Sequence, residues 1–132
     1  MADTLQFDLV SPERRLASAE AREVRLPAAA GGMTAMPDHA PTITTLRPGI
    51  VVVVSDKGET TSYAVTGGFA EITADGASVL AERAYAANAD NKAAIETQLD
   101  EARKAAADAA PEKKDAAELF VADLVQLLDD MV

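Results

Sequence analysis

The chain has no cysteine and only one histidine, His39, in its 132 residues. The absence of cysteine excludes disulfides, thiolate nucleophiles and cysteine-based zinc sites. A metal site would have to take nearly all its ligands from carboxylates, and no residue near His39 has the spacing of a metal ligand. We therefore predict no metal site and no cofactor.

Basic side chains and long apolar runs are also scarce. Lysine and arginine number 12 against 22 acidic residues, a net charge of −10, which argues against binding to nucleic acid or to anionic lipid. The longest apolar candidate, Ile50 to Val54, is only as long as a strand, so no membrane span is expected. Residues Met1 to Asp8 lack the basic start of a signal peptide. These features predict a soluble cytoplasmic protein.

Glycine and proline are nearly absent from the last third of the chain. All seven glycines and five of the six prolines precede residue 77, whereas residues 86–132 contain fourteen alanines and one proline. This change places a boundary near Tyr85 to Asn88. We expect one domain at residues 1–85 and a second at 86–132.

The first domain has a period of two, which is typical of strands. Leu5, Phe7 and Leu9 alternate with polar residues, and the β-branched run at 50–54 precedes a turn signal and a return strand at 60–66. Alternation resumes at 69–73, and Asp75-Gly76 is typical of a tight hairpin with positive φ angles. Short strands at regular spacing predict an antiparallel β-sandwich.

The second domain has a helical period. Ile95, Leu99, Ala102 and Ala106 lie on one helix face, and Pro111 ends this helix and begins another. The second helix has its own apolar face, formed by Phe120, Leu124, Leu127, Leu128 and Met131. A short connection makes the pair an antiparallel hairpin, so the fold class is α+β. The first helix presents mainly alanines, and each buried methyl is worth only about 0.8 kcal/mol, so we expect weak docking.

His39 lies between Pro37 and Pro41, where a histidine could act in catalysis, bind a metal, contact another protein or have no special role. A catalytic role lacks partner residues, because no nucleophile-elbow motif surrounds any serine. Asp38 is next to His39 in an extended stretch, so its side chain would point away from the histidine ring. Metal binding lacks ligands. An ordinary loop histidine remains open, but the prolines favour a rigid loop used for contact with another protein.

Two further patterns have plain explanations. Gly67-Gly68 could bind phosphate, but no helix or lysine follows it, so a turn or strand bulge is favoured. Asp100 and Lys104 are four residues apart on an exposed helix face, which predicts a surface ion pair. Neither pattern supplies a catalytic residue.

Five short motifs occur in order over the first domain and together resemble a known family. They are Val10-Ser11-Pro12-Glu13, Pro37-Asp38-His39-Ala40-Pro41, Leu46-Arg47-Pro48-Gly49, Thr66-Gly67-Gly68-Phe69-Ala70-Glu71-Ile72 and Val79-Leu80-Ala81-Glu82. This set is similar to the epsilon subunit of bacterial and chloroplast F-type ATP synthases. The helical hairpin also fits that family in length and position.

The resemblance implies a ten-stranded sandwich packed on the gamma subunit, at the foot of the central stalk and above the ring of c subunits. It implies a non-catalytic rotor subunit that couples proton flow to ATP synthesis, with the catalytic alpha and beta subunits as further partners. Such a subunit lies at the cytoplasmic face of the bacterial inner membrane and meets the membrane only through the complex.

The resemblance also implies which residues contact gamma and the c ring, with Ser11 and the His39 loop at one docking end. The residues are Ser11, Gly32, Met36, Asp38, His39, Ala40 and Pro41. This sequence departs from the family where Gly32 replaces an acid, Thr34 a glycine and Asp38 the glycine before histidine. Asp38 is then the expected source of the missing carboxylate.

Some family members bind ATP on the helices. The segment Leu99 to Arg103 resembles the start of that pattern, which makes Asp100 and Arg103 the candidates, but it lies later in the chain than the family's segment. The second helix has no arginine for a phosphate. We expect no nucleotide binding and, because the second helix is acidic, only weak inhibition of ATP hydrolysis. The alternative is a free-standing nucleotide-sensing module made of a β-sandwich and a helical hairpin. A third interpretation, an enzyme built on Asp38 and His39, is not favoured.

Overall fold

The computed structural model describes residues 3–131; Met1, Ala2 and Val132, at the outer ends of the two predicted domains, lie outside the described residues. Ten strands come first and two α-helices follow. The strands are β1 (Leu5–Val10), β2 (Arg15–Ala21), β3 (Glu23–Ala28), β4 (Gly31–Ala35), β5 (Thr42–Leu46), β6 (Gly49–Val54), β7 (Thr60–Val65), β8 (Gly68–Ile72), β9 (Gly76–Ala81) and β10 (Ala84–Ala86). A 3₁₀ turn (Ala89–Asn91) leads into α1 (Lys92–Asp108), and α2 spans Pro111–Asp130.

The strands form a single folded-over sheet. Its order is β10-β7-β6-β3-β5-β8-β9-β1-β2, with β4 paired to β3 outside this path. Neighbours are antiparallel except β1 and β9, which run parallel. The predicted class, a ten-stranded β-sandwich followed by a two-helix hairpin, is confirmed.

The sandwich core is formed by the inward residues of the alternating strands. Leu5, Phe7 and Leu9 are each at most 1% exposed, as their period of two predicts. Most other core residues are valine and alanine, and Phe7 stacks on Tyr63 with ring centroids 6.3 Å apart. Small side chains fill such a core only if the strands pack closely in the observed register. The packing of this core therefore depends on close approach of the strand backbones.

Two of the predicted turns differ in outcome. Gly67 and Gly68 have φ angles of 128° and 126° and form the turn between β7 and β8, which confirms the turn interpretation. The prediction of positive φ angles at Asp75-Gly76 is wrong, because neither residue adopts one. The turn is instead held by the Thr73 hydroxyl, which accepts hydrogen bonds from both backbone amides at 3.3 and 3.1 Å.

The two helices form the predicted hairpin, with Pro111 in the first turn of α2. The hairpin packs on the side of β6 and β7 that faces away from the sandwich core, where Ala64 and Ile50 contribute. This contact forms a second apolar cluster. The hairpin contributes Ile95, Leu99 and Ala102 from α1, Leu124 and Leu127 from α2, and Met131, which follows α2. Weak docking stays a prediction.

The helices are too short or too polar to cross a membrane. Within residues 3–131 no helix combines the length and apolarity that a membrane span needs.

Gly68 is expected to be essential for stability. A Cβ atom at Gly68 would lie 2.1 Å from the Leu80 carbonyl oxygen, and its φ angle is strained for any L side chain. Gly68→Ala should lower the free energy of unfolding by at least about 2 kcal/mol, measured by urea denaturation.

Gly32→Ala is the matched control, because a Cβ there has no atom within 4 Å and its φ is not in the left-handed region. It should stay within about 1 kcal/mol of the parent protein. Equal unfolding midpoints for the two variants would contradict the close approach at Gly68.

Candidate functional site

The His39 loop is a tight turn between β4 and β5. The His39 amide donates to the Met36 carbonyl at 3.2 Å, and the Asp38 amide donates to the Ala74 carbonyl at 2.9 Å, which ties the loop to the β8–β9 turn. Asp38 has a φ of 67°, in the left-handed region. The expectation of an extended stretch at Asp38 and His39 is therefore wrong, because Pro37 and the positive φ after it close a turn.

The His39 ring hydrogen-bonds to the backbone of its own loop. Its Nδ1 atom lies 2.6 Å from the Ala40 carbonyl oxygen, so Nδ1–H is the donor, and this is the one hydrogen bond of the ring found among the described residues. Within residues 3–131 no group of three or more His, Asp or Glu residues is placed to hold a metal ion. The arrangement presents a partly exposed imidazole, with Asp38, Ala40 and Pro41 exposed or partly exposed beside it.

Ser11 lies far from this loop. Strand β1 runs parallel to β9, and β5 runs the same way because both β5 and β9 are antiparallel to β8. Ser11 follows the end of β1, whereas His39 precedes the start of β5, so they lie at opposite ends of the sheet. The expectation of one shared docking end is wrong, because the parallel pairing of β1 with β9 is not visible in the local sequence.

Gly32 is also separated from the loop. It pairs with Pro27 near the start of β4, while Met36 follows the end of that strand. Four residues of strand span about 13 Å at about 3.3 Å per residue. The structure therefore groups Met36, Asp38, His39, Ala40 and Pro41 and leaves Gly32 apart.

An exposed apolar groove lies at the Ser11 end. Phe69 on β8 and Leu80 on β9 are paired neighbours and remain 46% and 43% exposed, and Leu80 also pairs with Val10 on β1. Together with Ser11 and Pro12 they line a cavity of about 360 Å³. Two large neighbouring apolar side chains that face solvent are typical of a protein contact surface.

Sequence reasoning did not assign Phe69 or Leu80 to a site, although a signal was present. Both belong to motifs of the resemblance, and the period of two places Phe69 outward once Ala70 and Ile72 point inward. The side chains meet only because β8 pairs with β9 in this register.

A smaller apolar surface accompanies the His39 loop. Met36 is 50% exposed, and Ile43, near the start of β5, is 73% exposed on the outer face of the sheet. Ile43 pairs with the exposed Glu71 on β8. The two ends of the sandwich thus present separate surfaces, one apolar and one of mixed chemistry.

The α1 candidates are plain surface residues. Asp100 and Arg103 are exposed, while Leu99 and Ala102 between and beside them are buried in the hairpin cluster. The predicted ion pair of Asp100 with Lys104 is wrong: the ion pairs found within residues 3–131 are Arg25–Glu23 and Arg47–Asp123. Exposed pairs gain little against the side-chain entropy that they cost.

Comparison with known proteins gives consistent results. Residues 4–87 match the family model described as ATP synthase, Delta/Epsilon chain, beta-sandwich domain. An ATP synthase epsilon chain of Paracoccus denitrificans is 51% identical over 131 residues, which cover 99% of this chain and 88% of that one. The epsilon chain of Fuscovulum blasticum is 60% identical over 124 residues, with 94% and 93% covered, and that of Ruegeria sp. is 62% identical over 103 residues, with 78% and 74% covered.

Solved structures share the fold at low sequence identity. A chain of the Euglena gracilis mitochondrial ATP synthase, from a structure of OSCP, F1 and the c ring, aligns with a TM-score of 0.75 and 18% identity over 98% of this chain and 81% of that one. A chain from the Tetrahymena thermophila ATP synthase central stalk and c ring has a TM-score of 0.52 and 16% identity over 63% and 66%.

The five motifs that carried the resemblance all lie inside the matched residues 4–87. The alternative of a free-standing nucleotide-sensing module is not favoured, because relatives that cover nearly the whole chain are named as subunits of one complex. The chain belongs to the family of ATP synthase epsilon chains.

Proposed function

We propose that this epsilon chain is a non-catalytic subunit of the rotating central stalk, which couples proton flow through the ring of c subunits to ATP synthesis. The observation that supports this most directly is the apolar groove around Phe69 and Leu80, exposed on a chain whose relatives are subunits of ATP synthase. The His39 ring contacts a backbone carbonyl and supplies no bond chemistry. The mechanism is the transmission of torque through a docked, rigid sandwich.

The two predicted domains divide this work. Residues 1–85 are the docking unit and residues 86–132 a regulatory arm, and the separate apolar clusters of the sandwich and the hairpin support the division. Strand β10 crosses the boundary by one residue, since it continues to Ala86. Ala84 in this strand is buried in the sandwich core, so any experimental cut belongs after Ala86.

The groove at the Ser11 end is the proposed contact for the gamma subunit. Phe69 and Leu80 supply its large exposed apolar side chains, and Ser11 is among the residues that line it. Burial of a whole leucine or phenylalanine side chain contributes about 1.5 to 3 kcal/mol, and interface affinity is concentrated in such anchors. A rigid sheet also presents these side chains with little loss of conformational entropy.

The opposite end is the proposed contact for the ring of c subunits. Met36, Asp38, His39, Ala40 and Pro41 form one rigid turn there, and the Asp38 carboxylate takes the place of the acid that the family has at position 32. Gly32 lies away from this turn and has no side chain to contribute, so we do not include it in the proposed contact with the c ring.

The proposed location of the subunit is the cytoplasmic face of the bacterial inner membrane. It is peripheral there and meets the membrane only through the complex, in which the catalytic alpha and beta subunits complete its set of partners. No nucleotide site is proposed at Asp100 and Arg103.

The hairpin is proposed to inhibit ATP hydrolysis only weakly. Residues 111–132 carry six acids against Lys113 and Lys114: Glu112, Asp115, Glu118, Asp123, Asp129 and Asp130. In the family, basic residues of the extended hairpin meet an acidic segment of the catalytic subunits. Like charges brought together at an interface cost several kcal/mol, so the extended state is disfavoured here.

Leu80→Ser tests the gamma surface. Loss of a buried leucine contact should weaken binding to purified gamma subunit by about tenfold or more in a titration, with the fold unchanged because Leu80 is outside the core. Leu119→Ser is the control, since Leu119 is 52% exposed on α2 and outside the groove. If both variants bind gamma equally well, the groove is not the contact.

Asp38→Gly separates the turn from the contact. Glycine adopts the observed φ of 67° without strain, so the free energy of unfolding should rise by about 1 kcal/mol in thermal denaturation. Binding to the isolated c ring should nevertheless weaken, because the carboxylate is lost. Asp38→Asn should weaken c-ring binding equally while leaving stability nearly unchanged, since asparagine tolerates this conformation.

A drop in stability for Asp38→Gly would contradict the turn. Unaltered binding of both variants to the c ring would contradict the proposed contact.

A further inference from the structure

One ion pair connects the sandwich to the helical hairpin. Arg47 donates two hydrogen bonds to Asp123 on α2, from Nε to Oδ2 at 3.1 Å and from Nη2 to Oδ1 at 2.6 Å. The Asp123 side chain is 13% exposed and that of Arg47 is 42% exposed. The other ion pair found in the described part of the chain, Arg25–Glu23, lies within β3, so this is the one that spans the two units.

The backbone of Arg47 is held in place by the sandwich. It lies between β5 and β6, and its own amide donates to the Pro27 carbonyl at 2.9 Å. Two residues later the chain passes so close to Pro27 that a Cβ atom on Gly49 would lie 2.6 Å from the proline ring. Because this loop is anchored, Arg47 cannot follow α2 if the helix moves away.

The aspartate lies in the middle of α2, beside residues of the apolar cluster. Leu124, next in sequence, is fully buried, and Phe120, three residues earlier, is partly buried against the same cluster. Phe120 also lines a cavity with Leu46 and Pro48, the neighbours of Arg47. The ion pair therefore lies where the helix crosses the β5–β6 loop, at the edge of the apolar contact.

The geometry suits an arginine in particular. Two parallel N–H donors meet the two oxygens of one carboxylate, which a lysine ammonium cannot reproduce. The hydrogen bond to Asp123, and then the charge of Asp123, raises the pKa of Arg47 above its ordinary value. Because two parallel hydrogen bonds are made, the guanidinium and the carboxylate have one relative orientation, and α2 is held at one position along the β5–β6 loop.

We propose that the Arg47–Asp123 pair is a latch that sets how often the hairpin leaves the sandwich. Apolar packing of Ile95, Leu99, Leu124, Leu127 and Met131 holds the hairpin, and the ion pair adds a directional contact between α2 and the β5–β6 loop. The latch is a property of the isolated chain, and it is a second reason, besides the acidity of α2, for the hairpin to remain folded. A folded hairpin would inhibit ATP hydrolysis only weakly, and this consequence rests on the proposed function.

The test is amide hydrogen exchange of the isolated chain, with the sheet amides as an internal reference. Asp123→Asn should speed exchange along α2 by about tenfold while exchange in β1 and β8 stays the same. Arg47→Gln should do likewise, and Arg47→Lys should recover only part of the protection. Asp129→Asn, which removes another α2 carboxylate at an exposed position, should leave exchange unchanged.

A double-mutant cycle distinguishes a latch from two separate effects. If the residues act through each other, Arg47→Gln combined with Asp123→Asn should be no faster in α2 exchange than either single variant. Additive acceleration, or no acceleration by the single variants, would overturn the proposal. The measurement involves no gamma subunit or c ring, so the docking surfaces can fail their own tests with the latch intact, and the reverse.

Discussion

The close approach of Gly68 to the Leu80 carbonyl is the contact on which the rest of this structure depends. No side chain fits between these backbones, since even a Cβ would lie 2.1 Å from the oxygen. The approach fixes β8 against β9 and thereby places Phe69 beside Leu80 on the outer face. On its other side Gly68 pairs with Leu46, the residue before Arg47, so the same point also positions the loop that holds α2.

The sandwich is consequently a rigid body with three different surfaces. One end presents an apolar groove, the other presents the turn of Asp38 and His39, and the outer side of β6 and β7 receives the helices. A core made largely of valine and alanine leaves little freedom for repacking, because each small side chain depends on close strand contact. Such a body suits the proposed transmission of force between gamma and the c ring. The hairpin lies outside this proposed path; within residues 3–131 it is held to the sandwich by its apolar cluster and by the Arg47–Asp123 ion pair.

The sequence predicted local features well, because local patterns determine them. The period of two placed the strands, Pro111 placed the junction of the helices, and the motifs identified the family. It failed where distant residues meet. Pairing of β1 with β9 joins residues about seventy positions apart and put Ser11 at the opposite end from His39; Arg47 and Asp123 are 76 positions apart. The error at Asp75-Gly76 arose because the Thr73 hydroxyl, and not backbone conformation, holds that turn.

The central claim is that the sandwich does the work of this subunit while the hairpin stays folded against it. It can be tested by adding either the full chain or a chain ending at Asn88 to ATP synthase depleted of its epsilon subunit, and measuring proton-driven ATP synthesis and ATP hydrolysis on the same preparations. The account predicts that both chains restore synthesis to the same level and that removal of the hairpin changes hydrolysis little. Strong inhibition of hydrolysis by the full chain that disappears with the hairpin, or failure of the shortened, β-rich chain to restore synthesis, would contradict it.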